Sequence, residues 1–508
     1  MTAKKAKYVI TLDSGTTSCR SLVVNKKGEI IAVSQSEFNQ YFPKSGWVEH
    51  DPLEIWNTQL STMQSAKLKA NIKSNDIAAL GITNQRETVV LWDKETGLPV
   101  YNAIVWQDRR TADYCDELIK QGYEKMIAEK TGLILNPYFS GTKIRWILEN
   151  VESAREKLQQ GKLLAGTIDT WLIWKLTGGK VHATDVSNAS RTLLFNIHTI
   201  EWDQKILDVM GIPKEILREV KSSSDQYGIV EPQFWSTRAT GQVPITGVAG
   251  DQQSALFGQL CVEPGMIKNT YGTGCFTLVN TGTQAIQSEN KLLTTIAWKL
   301  GKDKVVYALE GSVFVAGAAI KWLRDGLRLI YDADEVNYYS KRVQDDQHVY
   351  LVPSFTGLGA PYWDSYSRGA IFGLERGTKR EHIVKATVES IAYQSNDLIM
   401  AMAKDIKRPI VSLNVDGGAA NSNYLMQFQA SISNLAVRRP KVLETTALGA
   451  AYLAGLHVGF WSDIDELKKI AKLDKEFEPQ IDQEHREKLI KGWNVAVKKT
   501  LNWVKDIE

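Results

Sequence analysis

The sequence predicts an α/β protein made of two similar lobes with a cleft between them, and three observations lead to this prediction. Short apolar runs alternate with longer helical patterns in both halves of the chain, as is typical of α/β folds. A strand–turn–strand pattern around Gly15 occurs again around Gly272, about half of the 508-residue chain later. No low-complexity linker separates the halves, so we expect the lobes to pack closely.

The first half is predicted to open with a meander of short strands and then to add helices. Asp51 precedes Pro52, which suits an N-cap followed by a proline in the first turn of a helix. Gly122 is a helix stop signal. The predicted strands are Tyr8–Leu12, Ser21–Asn25, Glu29–Ser34, Ile77–Ile82, Thr88–Asp93 and Leu163–Gly166. The predicted helices are Asp51–Leu60 and Gln107–Gly122.

The second half is predicted to repeat the opening hairpin and to continue with long helices. We place the boundary between the lobes so that the domains cover residues 1–253 and 254–508. The predicted strands are Met266–Thr270 and Cys275–Asn280. Spacing of apolar residues predicts the helices Val313–Leu329, His382–Ala403, Thr445–Leu456 and Gln483–Asp506.

Charge and cysteine content exclude several classes of protein. The 61 Lys and Arg residues nearly balance the 58 Asp and Glu residues, which argues against a nucleic-acid partner bound by bulk electrostatics. The four cysteines form no CxxC pair, and a reducing compartment is their simplest environment. Asp13 interrupts the first apolar run, and the uncharged stretch Gly417–Val437 is rich in Asn, Ser and Gln. We therefore expect a cytoplasmic protein without membrane insertion.

A polar turn at residues 13–18 is the first candidate phosphate-binding element. The sequence contains no GxxxxGK[ST] motif, so a phosphate grip has to be built in another way. Gly15 permits close approach of backbone N–H groups to an anion, and the hydroxyls that follow add donors. Asp13 at the strand end can hold a hydrated Mg²⁺, and Arg20 suits a phosphate. The alternative is an ordinary hairpin with Ser and Thr in its turn.

Two further glycine-containing turns have similar chemistry. Thr270–Gly274 lies between the two strands that open the second half. Val415–Ser422 follows an apolar run, and its small residues would let a flat ring or a ribose lie on the backbone. Each turn alone is a weak signal, whereas the three together indicate a nucleotide.

Two other segments are candidates for binding the second substrate. Arg86 and Glu87 lie in the polar segment Gly81–Thr88, where a donor fork beside a carboxylate suits a small polyhydroxylated ligand. The alternative is a solvated loop with a local ion pair. Asp251 follows an apolar strand, where a general base would line a cleft, but it could equally cap a helix that begins at Gln252. Trp106 is a candidate for a pocket wall.

Two longer motifs identify a family resemblance. Tyr138–Trp146 and Gly369–Leu374, the latter continuing through His382 to Glu389, resemble the two signatures of the FGGY carbohydrate kinases. The resemblance runs from Tyr8 to about Trp503 and implies two actin-like, ribonuclease-H-like lobes around an ATP cleft. The segments that favour glycerol over another polyol or a sugar, which is the alternative, are Gly81–Thr88, Asn136–Tyr138 and Gly250–Gln253.

The resemblance implies ATP-dependent phosphorylation of glycerol to sn-glycerol 3-phosphate, an entry step of glycerol catabolism and a source of glycerolipid precursor. In this interpretation Asp251 is the general base and Asp13 holds Mg²⁺ through water. The implied glycerol-binding residues are Arg86, Glu87, Tyr138, Asp251 and Gln252, with Trp106 and Phe276 against the carbon chain. The implied nucleotide-binding residues are Thr16, Thr17, Ser18, Arg20, Thr273, Gly317, Lys321, Gly418, Asn421 and Ser422. Family members are commonly homodimers or homotetramers, which is our expectation here.

The sequence departs from the family pattern in three places. Lys321 stands where relatives often have Gln, and Ser422 stands where we expect the Asn that here is Asn421, so which of the two faces adenosine is open. Glu231–Gln242 lacks the adjacent glycines through which some bacterial relatives bind fructose 1,6-bisphosphate. The region also lacks the histidine that is phosphorylated in other relatives. We therefore expect neither mode of regulation.

Rival functions on the same core need additional elements. A sensor or repressor would need a helix-turn-helix, and a chaperone ATPase would need a peptide-binding domain. The sequence predicts neither.

Overall fold

Two twisted sheets form the centres of the two lobes in the structure, a computed structural model that describes residues 6–235, 242–343 and 349–507. The strands, in chain order, are β1 (Tyr8–Ser14), β2 (Ser18–Asn25), β3 (Ile30–Glu37), β4 (Glu49–His50), β5 (Ile77–Asn84), β6 (Val89–Asp93), β7 (Ala103–Ile104), β8 (Leu163–Thr167), β9 (Ala183–Asp185), β10 (Phe195–Asn196), β11 (Glu201–Trp202), β12 (Glu219–Lys221), β13 (Ser224–Ile229), β14 (Pro244–Gly250), β15 (Ile267–Tyr271), β16 (Cys275–Gly282), β17 (Leu293–Trp298), β18 (Val306–Val313), β19 (Tyr350–Val352), β20 (Ala370–Phe372), β21 (Ser412–Asp416), β22 (Ala436–Pro440) and β23 (Leu473–Phe477).

Helices connect the strands and cover the sheets. As predicted, Asp51 caps the first helix, because its carboxylate accepts from the N–H of Leu53. The α-helices are α1 (Pro52–Lys69), α2 (Ala112–Lys120), α3 (Glu124–Thr131), α4 (Ser140–Asn150), α5 (Glu152–Gln159), α6 (Ile168–Leu176), α7 (Val186–Ala189), α8 (Gln204–Met210), α9 (Asp251–Gly258), α10 (Gly317–Lys321), α11 (Glu335–Ser340), α12 (Arg380–Ile406), α13 (Asn423–Ser433), α14 (Thr445–His457), α15 (Ile464–Ile470), α16 (Gln483–Thr500) and α17 (Trp503–Ile507).

The two main sheets share a common strand order, to which the second sheet adds the edge strand β17. The first has the strand order β13-β14-β5-β1-β2-β3, and the second has the order β17-β18-β16-β15-β21-β22-β23. In each sheet an antiparallel hairpin, β1–β2 or β15–β16, is followed on its other side by a parallel strand, β5 or β21. The repeat predicted from the two glycine turns is therefore confirmed at the level of strand order.

Two helices lie between the sheets and join the lobes. Gly258 of α9 and Gly449 of α14 lie so close to the facing helix that an added Cβ would come within 1.9 Å of the Thr445 carbonyl oxygen and 1.8 Å of the Ser254 carbonyl oxygen, respectively. Helix α14 also lies against the first sheet, where a Cβ on Gly81 would come within 2.3 Å of the Ala450 carbonyl oxygen. A shared apolar core, which includes Val9, Leu22 and Ala249 of the first sheet and Ala447, Leu448 and Leu453 of α14, fills this layer. The first lobe is thus covered in part by a helix from the second half of the chain.

A smaller sheet with the order β4-β7-β6-β8 extends the first lobe. Together with α4 and neighbouring segments it encloses a second core, which includes Val89, Ile104, Phe139 and Ile144 and to which β17 and β18 also contribute. This part of the lobe also carries Trp106 and Tyr138, whose rings are in contact.

Besides the first helix, which was predicted to end at Leu60 and continues to Lys69, three predicted helices are wrong in their extent. The helix predicted from Gln107 begins at Ala112, because Asp108 turns the chain back by accepting from the N–H of Arg110 at 2.9 Å. The helix predicted from Val313 begins at Gly317, because Val313 still pairs with Cys275 in the sheet.

The third of these is the C-terminal helix, which was predicted to be continuous from Gln483 to Asp506. It ends at Thr500, because Asn502 has a φ of 57° and its N–H donates to Asp364. Helix α17 then begins at Trp503.

The predicted boundary between residues 253 and 254 lies inside α9. Within the described ranges, none of the helices combines the length and apolarity that a bilayer crossing requires.

Candidate active site

The first predicted phosphate turn closes tightly between β1 and β2. The N–H of Gly15 donates to the carbonyl of Ser18 at 3.0 Å, and Asp13 lies directly opposite Arg20 in the hairpin register. Burial raises the pKa of Asp13 to about 6, against the effect of Arg20 and with a further contribution from Asp251. Asp13 and Asp251 therefore lie close enough to interact, although Asp13 belongs to β1 and Asp251 begins α9.

Arg20 is the predicted phosphate ligand whose surroundings are the most different from expectation. Its guanidinium forms an ion pair with Glu444, which immediately precedes α14. Both side chains are partly exposed to solvent, so a phosphate would compete with Glu444 for Arg20.

The second turn brings three glycine-containing segments together. The N–H of Gly272 donates to the carbonyl of Gly274 at 2.9 Å, and the N–H of Gly317 donates to the carbonyl of Gly272 at 3.0 Å. Gly417 has a φ of 84°, and an added Cβ would lie 2.5 Å from the Tyr271 carbonyl oxygen. Thr273 at the tip of the turn is exposed. The second and third predicted turns are thus neighbours, with the start of α10 beside them.

The remaining predicted nucleotide residues surround this point. An added Cβ on Gly418 would meet no atom within 4 Å. Ser422 is buried and caps α13 through the N–H of Leu425, and its hydroxyl also bonds Asn337 at 2.9 Å. Asn421 and Lys321 are exposed. The hydroxyl of Ser422 is therefore committed to the protein, whereas the side chain of Asn421 faces solvent.

Aromatic side chains form a wall that connects the first turn with the second lobe. Trp106 donates from its indole Nε1 to the hydroxyl of Thr16 at 3.0 Å. The Trp106 ring lies edge-on to Tyr138 at 5.4 Å and to Phe276 at 6.5 Å between ring centroids. Because Phe276 belongs to β16, this wall includes residues of both lobes.

Arg86 and Glu87 are buried at the end of the polar segment after β5, with side chains only 2% and 1% exposed. Arg86 Nε lies 3.1 Å from Asp251 Oδ1 and 3.7 Å from Glu87 Oε1. Glu87 has a φ of 60°. This turn of the chain lets the side chains of Arg86 and Glu87 enter the same cluster of charged groups. The alternative of a solvated loop is therefore wrong, while the ion pair that it proposed is present.

Asp251 is the first residue of α9, and Gly250 occupies the cap position. The Asp251 carboxylate accepts a hydrogen bond from the adjacent N–H of Gln252 at 2.7 Å. The side chain is 29% exposed. Burial raises the pKa of Asp251, while Arg86 and Lys268 oppose this effect. The carboxylate is thus anchored through Oδ1 and still reaches the cleft.

Lys268 was not predicted, yet it contacts a predicted site residue. Its ammonium donates to Gln252 Oε1 at 2.6 Å and to Thr270 Oγ1 at 2.9 Å. Burial lowers the pKa of Lys268 to about 8, and Asp416 and Glu310 oppose that effect. A charged residue within the apolar strand that leads into the second turn was the available sequence signal.

Glu310 and Arg191 were also missed. Glu310 of β18 accepts from Arg86 Nη1 at 2.6 Å and from Arg86 Nη2 at 2.8 Å. Arg191 donates from Nη2 to Glu310 at 3.1 Å and from Nε to Glu87 at 2.6 Å. Glu310 is an isolated charge in an apolar run, a pattern that indicates burial with a partner but does not identify the partner. Arg191 stands between Ser190 and Thr192, so its sequence surroundings give no such signal.

The residues around Asp13 and Asp251 fit a hydrated Mg²⁺. Both supply carboxylate oxygens, the hard ligands that Mg²⁺ prefers, and the raised pKa of Asp13 reflects an environment in which a nearby cation would stabilise the charged form. Across the described residues no group of three or more His, Cys, Asp or Glu side chains forms a metal cage. Mg²⁺ usually retains several waters and needs few protein ligands.

The segment for which we predict no regulation by fructose 1,6-bisphosphate lies partly outside the described residues. Of the segment Glu231–Gln242, residues 236–241 lie outside the described residues. The expectation that fructose 1,6-bisphosphate does not bind there remains a prediction.

Comparison with known proteins places the site in context. Residues 8–258 match the N-terminal domain, and residues 267–458 match the C-terminal domain, of the FGGY family of carbohydrate kinases. Glycerol kinases of Mycoplasmopsis pulmonis and Mycoplasma pneumoniae are 72% and 62% identical over 502 and 501 residues, covering 99% and 98% of this chain and 99% of each relative.

A solved structure of Plasmodium falciparum glycerol kinase with ADP is 38% identical and has a TM-score of 0.91, covering 97% of this chain and 98% of that one. A xylulose kinase from Lactobacillus acidophilus, 23% identical with a TM-score of 0.86, covers 97% of this chain and 98% of its own and shares the fold. The two repeated sheets and these matches over nearly the full length show that the chain belongs to the FGGY family of carbohydrate kinases.

Proposed function

We propose that this protein catalyses the ATP-dependent phosphorylation of glycerol to sn-glycerol 3-phosphate. One observation carries the proposal: Asp251, Arg86 and Glu87 form one charged group beside an aromatic wall, in a chain whose relatives named above are glycerol kinases. A small triol needs donors and acceptors for its hydroxyls and an apolar contact for its carbon chain, and this site has both.

We assign the glycerol contacts to the atoms that the protein leaves available. Arg86 uses Nη1 and Nη2 on Glu310, and a second Nη2 hydrogen is the donor that we assign to a hydroxyl. Both ion pairs of Glu87 use Oε1, so Oε2 is the assigned acceptor. The Tyr138 hydroxyl and the Gln252 side chain bind the remaining hydroxyls. Trp106 and Phe276 pack against the carbon chain, which is supported by their edge-on arrangement.

Asp251 acts as the general base in this proposal. Its Oδ1 is anchored by Arg86 and by the N–H of Gln252, so we assign Oδ2 to the terminal hydroxyl that attacks the phosphoryl group. Phosphoryl transfer depends mainly on positioning and charge neutralisation, and a carboxylate within hydrogen-bond reach suffices to accept a proton that leaves late. Closure of the lobes would exclude water and so limit hydrolysis of ATP.

The nucleotide is assigned to the three converging turns. Residues 16–18, Arg20 and Thr273 would hold its phosphates, and Gly317, Lys321 and Gly418 would surround the rest. We assign the adenosine contact to Asn421, because the Ser422 hydroxyl already caps α13. Asp13 would hold Mg²⁺ through water, and when bound the ion supplies neutralisation of the phosphate charge.

A coupled assay of ADP release tests the proposed function. We expect turnover with glycerol and ATP, and much slower turnover with dihydroxyacetone, erythritol, xylulose or no acceptor. Faster turnover with a sugar or another polyol would instead support the alternative function, a kinase of the same family that acts on that substrate. Turnover that is independent of any acceptor would contradict both.

We also propose that the lobes meet at residues 253/254, that the protein acts in the cytoplasm and that it forms a homodimer or homotetramer. The cytoplasmic assignment is supported by the four cysteines, which are unbridged and buried. Light scattering coupled to gel filtration measures the oligomeric state.

A further inference from the structure

Arg86 and Glu310 form an ion pair that connects the two sheets. Arg86 follows β5 of the first sheet, and Glu310 lies within β18 of the second. The two hydrogen bonds of 2.6 and 2.8 Å join both oxygens of Glu310 to both terminal nitrogens of Arg86, the bidentate geometry that fixes a guanidinium most firmly. Neither side chain is more than 2% exposed.

Arg191 and Glu87 complete a buried ring of alternating charge. Arg191 links Glu310 to Glu87 with hydrogen bonds of 3.1 and 2.6 Å, and Glu87 Oε1 lies 3.7 Å from Arg86 Nε. Two cations and two anions balance. Burial disfavours ionisation of Glu310, but Arg191 and Arg86 outweigh it and lower the pKa of Glu310 to about 2.

The ring determines which way Arg86 points. With Nη1 and Nη2 held by Glu310, Nε faces Asp251 Oδ1 at 3.1 Å. Nη1 also donates to Gln253 Oε1 at 3.2 Å, which adds a second anchor. Rotation of the guanidinium would break all of these contacts at once. A buried ion pair seldom stabilises a fold more than apolar residues of the same size would, so stability alone does not account for this arrangement.

We propose that Glu310 is a positioning residue for the substrate pocket: through its bidentate contact it orients Arg86, and through Arg86 it orients the Asp251 carboxylate. This inference rests on the proposed function, since it concerns the same pocket. Because Glu310 and Lys268 both belong to the second sheet, the second lobe completes a polyol site whose remaining charged residues belong to the first.

The conservative variant E310D provides the sharpest test. It keeps the negative charge and so the balance of the ring, but its carboxylate is one methylene shorter and cannot reach both nitrogens of Arg86 in the same position. We expect the KM for glycerol to rise roughly 10-fold or more, the range for loss of a hydrogen bond between charged groups. The KM for ATP should stay within about twofold of the wild-type value, a margin within the scatter of single-interaction effects.

E49D is the matched control. Glu49 is a buried carboxylate that accepts from Arg110 at 2.7 Å and from Tyr101 at 2.7 Å, outside the ring. If shortening a buried, paired glutamate acted only through stability, both variants would lower the melting temperature and neither would change the KM for glycerol selectively. Should E310D fold poorly, the double variant R191M/E310Q, which also leaves the ring neutral, takes its place in the same measurements.

A double-mutant cycle then tests whether Glu310 acts through Arg86. In an R86A background, E310D should change the KM for glycerol by less than about twofold, because the group that it positions is absent. A wild-type KM for glycerol in E310D, an equal rise in both KM values, or full additivity with R86A would each overturn the inference. Absence of glycerol turnover in the wild-type protein would overturn the proposed function first, and the inference with it.

Discussion

The ammonium of Lys268 donates a 2.6 Å hydrogen bond to the side-chain oxygen of Gln252, the residue that follows the proposed base. The contact joins the strand that leads into the second turn to the first turn of α9. It leaves the Gln252 amide nitrogen as the group that can meet a substrate hydroxyl.

The first prediction concerns this lysine and pH. Because burial lowers the pKa of Lys268 to about 8, its ammonium is charged below pH 8 and loses its proton as the pH rises through that value. We expect kcat/KM for glycerol to fall above about pH 8 in the wild-type protein. K268M should be roughly 10-fold less active at pH 7, the effect of losing one hydrogen bond from a charged donor, and should lack this alkaline decline.

As the pH rises, the shifted pKa of Lys268 should change stability in the direction opposite to its effect on activity. The folded pKa of Lys268 lies below its unfolded value of 10.5, so the lysine contributes least to stability below pH 8 and more as the pH rises from 8 to 10.5. The melting temperature of K268M should therefore gain most relative to wild type at neutral pH.

The control for the activity measurement is K175M, which removes a lysine outside the site. In this variant kcat/KM for glycerol should still fall above about pH 8. An equal fall of kcat/KM in K268M would show that Lys268 is not the group whose titration causes it.

The second prediction concerns the proposed base. D251N keeps the shape of the side chain but cannot accept the proton, so turnover should fall by about 100-fold or more, the range typical of general-base removal. Glycerol binding, measured by calorimetry, should remain detectable, because Arg86 is still held by Glu310. D208N on the surface is the control. Turnover near the wild-type value in D251N would exclude Asp251 as the base.

The third prediction concerns the aromatic wall. W106F keeps an aromatic ring but removes the indole N–H that bonds Thr16 at 3.0 Å. Loss of one neutral hydrogen bond should raise the KM for ATP about 3- to 10-fold, since the turn that carries Thr16 is less firmly placed. W503F, at an exposed position, should behave as the wild type. An unchanged KM for ATP in steady-state kinetics would show that Trp106 does not position the turn that carries Thr16.

The fourth prediction concerns the contact between α9 and α14. In G449A the new methyl group would lie 1.8 Å from the Ser254 carbonyl oxygen, and backbone atoms on both sides leave little room for adjustment. We expect the free energy of unfolding to fall by about 3 kcal/mol, the upper part of the range for overpacking. G161N, in a left-handed turn with no atom within 4 Å of the added Cβ, should cost much less. Chemical denaturation followed by circular dichroism gives both values.

The glycine-containing turns could be predicted from the sequence because their signal is local. Gly15 and Gly272 each follow a short predicted strand and precede Thr, and such a pattern needs no knowledge of distant residues. The two sheets that these turns open have the predicted similarity. The extents of helices were harder, because the start of α10 depends on a hydrogen bond from Gly317 to Gly272.

The charged ring could not be predicted in the same way. Arg86 and Glu310 are 224 positions apart, and no periodicity connects them. The sequence predicted a local pair between Arg86 and Glu87, which the structure contains at 3.7 Å, but the stronger partners of both residues come from elsewhere in the chain. Long-range charge pairing depends on the packed fold, so it emerges only with the tertiary structure.

The position of α14 has a consequence for how this protein is made. As the chain leaves the ribosome, the first sheet is complete long before residues 445–457 are synthesised, and until then Val9, Leu22 and Ala249 have no α14 to cover them. The nascent first lobe must therefore expose an apolar face for much of translation, and we expect this interval to be when a chaperone binds most readily.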